Sequence, residues 1–206
     1  MAHPLFGDQH RVSTLYRYLA RGYDVLRPLF AGFADTRDEY FAHVSPASDA
    51  RILDVGCGTG ESLRRFTGEK RSLHGVDVSP QQLAYATGKP DLAGASFTLG
   101  DATRLPYGPE SFDVVLSVGS LPYVPDVDAA LTEMHRVTEA GGQLFVVGPK
   151  YPSNPIARRI ADALLHFLDP TAFPDRVRRA GWSDVRTATV HMDYLARDAL
   201  IVTARA

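Results

Sequence analysis

Short apolar runs cut off by glycine, proline or acidic residues alternate with longer stretches of mixed polarity between residues 51 and 148. Ile52, Leu53 and Val55 are nearly continuous rather than alternating, which suits a strand buried on both faces of a parallel sheet. The same reading gives a second strand at His74–Val78, a third at Phe97–Leu99, a fourth at Val114–Ser117 and a fifth at Gln143–Val147. Ser79 before Pro80 predicts an N-cap and the first position of a helix. Between the fourth and fifth strands, Ala129, Leu131, Met134 and Val137 recur at mostly helical intervals over Asp128–Val137. Glu139-Ala140-Gly141-Gly142 then predicts a helix ended by glycine.

The flanks have a different texture. Tyr16, Tyr18, Tyr23, Phe30, Phe33, Tyr40 and Phe41 crowd the segment before the first strand, and aromatics at helical spacing serve either as core contacts or as the mouth of a site. After the fifth strand, prolines at 149, 152 and 155 predict an irregular loop. Ile156–Leu168 follows with Ile156, Ile160, Ala163, Leu164 and Phe167 on one side and Arg158, Arg159 and Asp162 elsewhere, an amphipathic helix. Core packing, a lid over an apolar acceptor pocket and contact with a membrane surface are all compatible with it.

Chemistry concentrates where the first strand ends. Gly56, Gly58 and Gly60 let the backbone turn sharply and approach a ligand closely. A dinucleotide turn has Gly-x-Gly-x-x-Gly, whereas position 61 is Glu61, whose carboxylate at the opening of a helix repels a pyrophosphate and tolerates a sulfonium cation. No Gly-Lys-Ser/Thr occurs, so a P-loop is excluded. Asp77, roughly 20 residues after the turn, stands where an acid reads a ribose diol; a plain helix-capping role is the alternative.

Arg51–Gly60 resembles motif I of the class I S-adenosylmethionine (SAM) dependent methyltransferases, and Gly100-Asp101-Ala102 through Phe112-Asp113-Val114-Val115 resembles the family's "GDA..LP...FD.V" signature. Glu139–Val147 is similar to its "L.pGG.l.." element and Ala180–Val185 to its "aGf.dv" element. Tyr23-Asp24 resembles the "YD" ahead of motif I in ubiquinone/menaquinone-type members. The resemblance implies an α/β Rossmann-like fold with seven strands in the order 3-2-1-4-5-7-6, Ala199–Thr203 lying in the last, antiparallel strand. It also implies one domain: a helical lid over 1–48, a SAM-binding core over 49–148, and substrate-side elements over 149–206. The implied cofactor-binding residues in the core are Asp54, Gly56, Cys57, Gly58 and Gly60 of the first strand and turn, Asp77 and Val78 at the end of the second strand, Asp101 and Ala102 after the third, and Ser117 on the fourth. Asp101 is expected to bond the adenine amino group and the Ala102 amide a ring nitrogen; Tyr16, Tyr23 and Asp24 are expected to reach SAM or the site's mouth from the lid.

Methyl transfer from a sulfonium is an in-line displacement that profits from near-attack positioning and exclusion of water, and a base is needed only for an acceptor that is not already nucleophilic. Tyr123, Tyr23 and His166 are the candidate bases; His135, inside a helix, is set aside as structural. Related quinone C-methyltransferases carry an Arg-Asn pair after strand four, and Pro122-Tyr123 in that region counts against a quinone. A quinone-like ring and a phospholipid headgroup amine stand as rival acceptors. A non-catalytic SAM-binding or S-adenosylhomocysteine (SAH) binding partner or sensor, and an NAD-linked oxidoreductase, stand as rival functions.

Composition narrows the partners. At 206 residues and 45% hydrophobic content, with Lys+Arg 22 against Asp+Glu 24, no overall basic field exists to attract nucleic acid. Cys57 is the single cysteine, which excludes an intramolecular disulfide and favours a reducing compartment; it is expected to act as a small residue beside the ligand rather than as a nucleophile. The seven histidines show no metal-ligand spacing, no run approaches the roughly 20 apolar residues of a membrane span, and no signal-peptide layout appears. A cytoplasmic protein is expected.

Overall fold

The computed structural model describes residues 39–150, 168–191 and 198–206. Seven strands form one sheet: β1 (Arg51–Val55), β2 (Ser72–Asp77), β3 (Ser96–Leu99), β4 (Phe112–Val118), β5 (Thr138–Pro149), β6 (Ser183–His191) and β7 (Asp198–Arg205). Their order is β3-β2-β1-β4-β5-β7-β6, as the resemblance implied. β1 to β5 pair in parallel, and β7 runs antiparallel to both β5 and β6. The three described α-helices are α1 (Pro80–Thr87), α2 (Val127–Val137) and α3 (Phe173–Arg179).

Both faces of the central strands are covered, which explains their unbroken apolar sequence. Leu53, Val55, Val115, Leu144, Val146, Leu200 and Val202 meet α2, α3 and Trp182 on one face. Ile52, Val114, Leu116, Phe145, Val147 and Ile201 meet Leu63, Phe66, Leu92, Tyr40 and Val44 on the other. Each central strand therefore contributes alternate residues to two cores.

The end of the aromatic N-terminal segment belongs to the second core. Tyr40 is buried, and the Phe41 ring lies 5.4 Å from Phe66 and 5.5 Å from Phe145. Tyr16, Tyr23 and Asp24 lie outside the described residues, as do His166 and residues 156–167 of the expected amphipathic helix. Leu168, the last residue of that stretch, is buried, bridges to Lys150 and packs over Gly148.

Two local expectations are corrected. α2 is not ended by glycine: Thr138 is already extended (φ −86°, ψ 134°), its hydroxyl donates to the Met134 carbonyl at 2.6 Å, and β5 begins at once. Gly141 and Gly142 lie inside β5, where pairing with β4 jumps from Phe112↔Thr138 to Val114↔Gln143, so the extra residues bulge. Gly141 takes φ +77°, and a β-carbon on Gly142 would meet the Asp113 carbonyl oxygen at 2.9 Å. The second correction concerns Glu61, which opens no α-helix. It sits in a turn before a single 3-10 segment, Leu63–Phe66, and its carboxylate pairs with Arg64 at 2.6 Å and Lys89 at 3.7 Å.

His135 is structural, as expected. Its ring stands edge-on to Trp182 at 5.0 Å, and the Trp182 indole donates to the Leu131 carbonyl at 3.1 Å.

Candidate functional site

A cleft of about 260 Å³ opens across the C-terminal ends of β1, β2 and β4, the edge where ligands bind in open α/β sheets. The turn after β1 forms its floor. The Gly56 and Cys57 amides both donate to the Val76 carbonyl, at 2.8 and 3.1 Å, which binds the turn to the end of β2.

The three glycines do different work. Gly56 at φ +72° passes directly beneath Ser120, whose Oγ would lie 2.5 Å from a β-carbon there. Gly58 at φ +54° faces open space and lines the cleft. Gly60 at φ +77° points away from the lining and packs beneath Leu92, whose Cδ1 would lie 2.6 Å from an added β-carbon. Gly58 is thus the one whose missing side chain leaves room in the cleft itself, and Gly60 serves the core.

Asp77 closes the far side of the turn. Its Oδ2 accepts the Gly58 amide at 2.9 Å and its Oδ1 accepts the Ser79 amide at 2.8 Å. Burial pushes its carboxyl up while these amides pull it back down. The capping alternative falls to its neighbour: the Ser79 hydroxyl accepts the Gln82 amide at 3.3 Å, with Pro80 at the first position of α1. Asp77 is therefore held by backbone amides while facing the cleft. Val78 beside it lines the cleft as an exposed apolar side chain, 37% accessible. Asp101 and Ala102, after β3, complete that wall, with Asp101 Oδ1 accepting the Thr103 amide at 2.9 Å.

The opposite wall is the segment after β4, where Val118, Gly119, Ser120, Tyr123, Val124 and Pro125 line the cleft. Tyr123 ends a 3-10 turn over Leu121–Tyr123. Ser120 and Gln82 also reach the lining, along with Thr59, and sequence reading missed all three; small polar residues beside glycine or in a helix's first turn carry no distinguishing pattern.

Two expected cofactor residues lie beneath the cleft rather than in it. Asp54 is fully buried on β1, its Oδ1 has no hydrogen-bond partner among the described residues, and burial together with nearby Asp77 pushes its pKa up to about 8. Ser117 is also fully buried, with its Oγ 2.5 Å from that of Ser120. Cys57 lines the cleft, backs onto Gly75, and has its thiol pushed well above the usual range by burial and by Asp54 and Asp77, which opposes a nucleophilic role.

The charged groups lining the cleft among the described residues are all acids: Glu61, Asp77 and Asp101. Among the described residues no Lys, Arg or His lines it. The turn's amides and the two acids at the ends of adjacent strands suit a phosphate-free nucleoside bearing positive charge better than a pyrophosphate. Among the described residues no group of three His, Cys, Asp or Glu forms a metal site, and no helix is long and apolar enough to cross a membrane.

Known proteins agree with this geometry. Residues 53–146 match a family model described as a methyltransferase domain. The demethylmenaquinone methyltransferase of Roseiflexus castenholzii is 31% identical over 204 residues, covering 84% of this chain and 86% of that protein. A chloroplastic 2-methyl-6-phytyl-1,4-hydroquinone methyltransferase of Oryza sativa subsp. japonica is 32% identical over 193 residues, covering 90% of this chain. The chain spans about half the length of the plant relatives, 55% in that case. Among solved structures, one chain of the complex between the Haloferax volcanii Trm112 methyltransferase activator and a methyltransferase superposes with a TM-score of 0.77 at 19% identity, covering 93% of this chain and 95% of that one. At that identity the likeness concerns the fold alone. The ordered sequence elements, the strand order and the relatives' coverage together establish that this chain belongs to the class I SAM-dependent methyltransferase family.

Proposed function

We propose that the protein transfers a methyl group from SAM to a small acceptor bearing a hydroquinone-like ring. The observation that carries the cofactor half is the cleft on the glycine turn, with Gly58 leaving space, Asp77 fixed by two amides and Asp101 on the adjacent strand end. When bound, SAM supplies an electrophilic methyl on a sulfonium. The chain's part is to bind, orient and keep water out. Asp77 would hold the ribose diol, Asp101 and the Ala102 amide the adenine, and the acids would favour the cation's charge.

The relatives named for a hydroquinone and for demethylmenaquinone support the acceptor half. They outweigh the argument drawn from Pro122-Tyr123, since two loop positions do not define an acceptor. The wall formed by Val118, Tyr123, Val124 and Pro125 is apolar and aromatic, which suits a ring better than a headgroup amine. A hydroquinone hydroxyl must lose its proton to make the ring fully nucleophilic, and Tyr123, the candidate base that lines the cleft, stands on that wall. A cytoplasmic or other reducing setting is part of the proposal, supported by Cys57 being buried and free.

Incubation with methyl-labelled SAM and a prenylated 1,4-hydroquinone tests it. Label is expected in the organic phase, reduced about 10- to 100-fold by Asp77→Ala at subsaturating SAM. SAH binding without label transfer to this hydroquinone, to a phenol or to a headgroup amine would instead favour a non-catalytic SAM-binding protein.

A further inference from the structure

We propose that Ser120 is a positioning residue which locks the acceptor-side wall of the cleft, residues 119–125, to the cofactor turn through a two-hydroxyl relay ending on the Val55 carbonyl. The inference rests on the cofactor reading above and goes beyond it by assigning how one wall senses the other.

Proton accounting fixes the relay's direction. Each serine hydroxyl has one proton to give. Ser120 Oγ lies 2.7 Å from the Val55 carbonyl oxygen, which can only accept, so the Ser120 proton is committed there. The 2.5 Å contact between Ser117 and Ser120 must then run from the Ser117 hydroxyl to Ser120 Oγ. Ser117 is fully buried, so its proton has no water to turn to. The relay reads Ser117 to Ser120 to Val55.

Its placement gives it a mechanical role. β1 and β4 pair only as far as Asp54↔Leu116, so the Val55 carbonyl lies one residue beyond the last rung. Val55 is followed by Gly56, the residue that passes beneath the Ser120 side chain. On the other side, Ser120 anchors the acceptor wall: its carbonyl accepts the Tyr123 amide at 3.0 Å, and the preceding Gly119, at φ +75°, donates to Val147 at 2.7 Å. One hydroxyl thus joins the peptide entering the cofactor turn to the start of the wall carrying Tyr123, Val124 and Pro125. A ligand that orders the turn would order the wall through it.

Amide hydrogen exchange with and without saturating SAH reads this coupling without needing the acceptor. In the wild type, SAH is expected to slow exchange several-fold both at residues 56–60 and at 119–125. Ser120→Ala keeps the β-carbon over Gly56 and removes the relay. At SAH concentrations that calorimetry shows to saturate the variant, it is expected to keep protection at 56–60 while losing it at 119–125. A purely structural serine would lower the melting temperature yet leave the SAH-dependent protection of 119–125 intact, and that result overturns the proposal. Should Ser120→Ala not fold, Ser120→Cys keeps a side chain over Gly56 with only a weak donor towards the Val55 carbonyl, and unchanged SAH-dependent protection of 119–125 there overturns the relay as well. Failure of wild-type protein to bind SAH is a separate outcome: it defeats the cofactor reading and takes this proposal with it, whereas SAH binding without protection at 119–125 defeats the relay alone.

Discussion

The Asp77 carboxylate spans the mouth of the glycine turn after β1, accepting the Gly58 amide at 2.9 Å with one oxygen and the Ser79 amide at 2.8 Å with the other. An acid at the end of β2 thereby shapes the turn at the end of β1 as well as facing the cleft. Asp77→Ala removes both roles. Loss of a charge-assisted contact corresponds to roughly 1.5–3 kcal/mol, so the SAH dissociation constant is expected to rise about 10- to 100-fold. Calorimetric titration checks it, and an unchanged constant would mean that Asp77 does not meet the ligand.

The glycines offer a sharper dissection. Gly60→Ala would place a β-carbon 2.6 Å from Leu92 Cδ1 at φ +77°, so it is expected to destabilise the fold by about 2–4 kcal/mol. Gly58→Ala meets nothing within 4 Å, so its stability cost should be confined to the positive φ, about 1–2 kcal/mol, while its methyl intrudes on the cleft. Thermal unfolding and SAH titration should therefore rank the two variants oppositely: Gly60→Ala worse in stability, Gly58→Ala worse in binding per unit of stability lost. The same order in both assays would contradict the division of labour.

Buried Asp54 makes a pH prediction. Its folded pKa of about 8 lies above the unfolded carboxylate value, so the folded state holds the extra proton. The associated stability is complete below about pH 4 and is lost as pH rises towards 8. Asp54→Asn imitates the protonated form and does not titrate. Its melting temperature relative to wild type should climb steadily between pH 4 and pH 8, measured without ligand; a flat difference would show that Asp54 is ionised in the fold.

At the opposite end of the sheet the sign reverses. Arg51 donates to Asp113 from its backbone amide at 2.7 Å and from its guanidinium at 2.8 Å, which holds the Asp113 pKa down to about 2. This stability is present above about pH 4 and fades as pH falls towards 2. Both side chains are partly exposed and water screens them, so Asp113→Asn is expected to cost only about 1 kcal/mol at pH 7, a difference that disappears near pH 2 in denaturant titrations.

The parallel core was legible because strands buried on both faces read as continuous apolar runs, as Ile52, Leu53 and Val55 do. Asp77 and Asp101 were legible as cleft-lining acids because an acid at or just past a strand end stands out from the apolar run before it. What escaped depended on partners distant in sequence. Gly141 and Gly142 look like a helix stop until the offset pairing of β4 with β5 reveals a bulge. Ser120 sits 65 residues from the carbonyl it satisfies, and no local pattern announces such a bond. Asp54 reads as part of a ligand-binding motif, but strand alternation turns its side chain into the protein beneath the turn.

Isothermal calorimetry of the purified protein with SAM, SAH and NAD decides whether the cleft accepts a phosphate-free nucleoside thioether or sulfonium. Saturable heat is expected with both SAM and SAH, with dissociation constants at or below the order of 100 μM, and none with NAD. Heat with NAD, or no heat with SAM and SAH into the millimolar range, would contradict it.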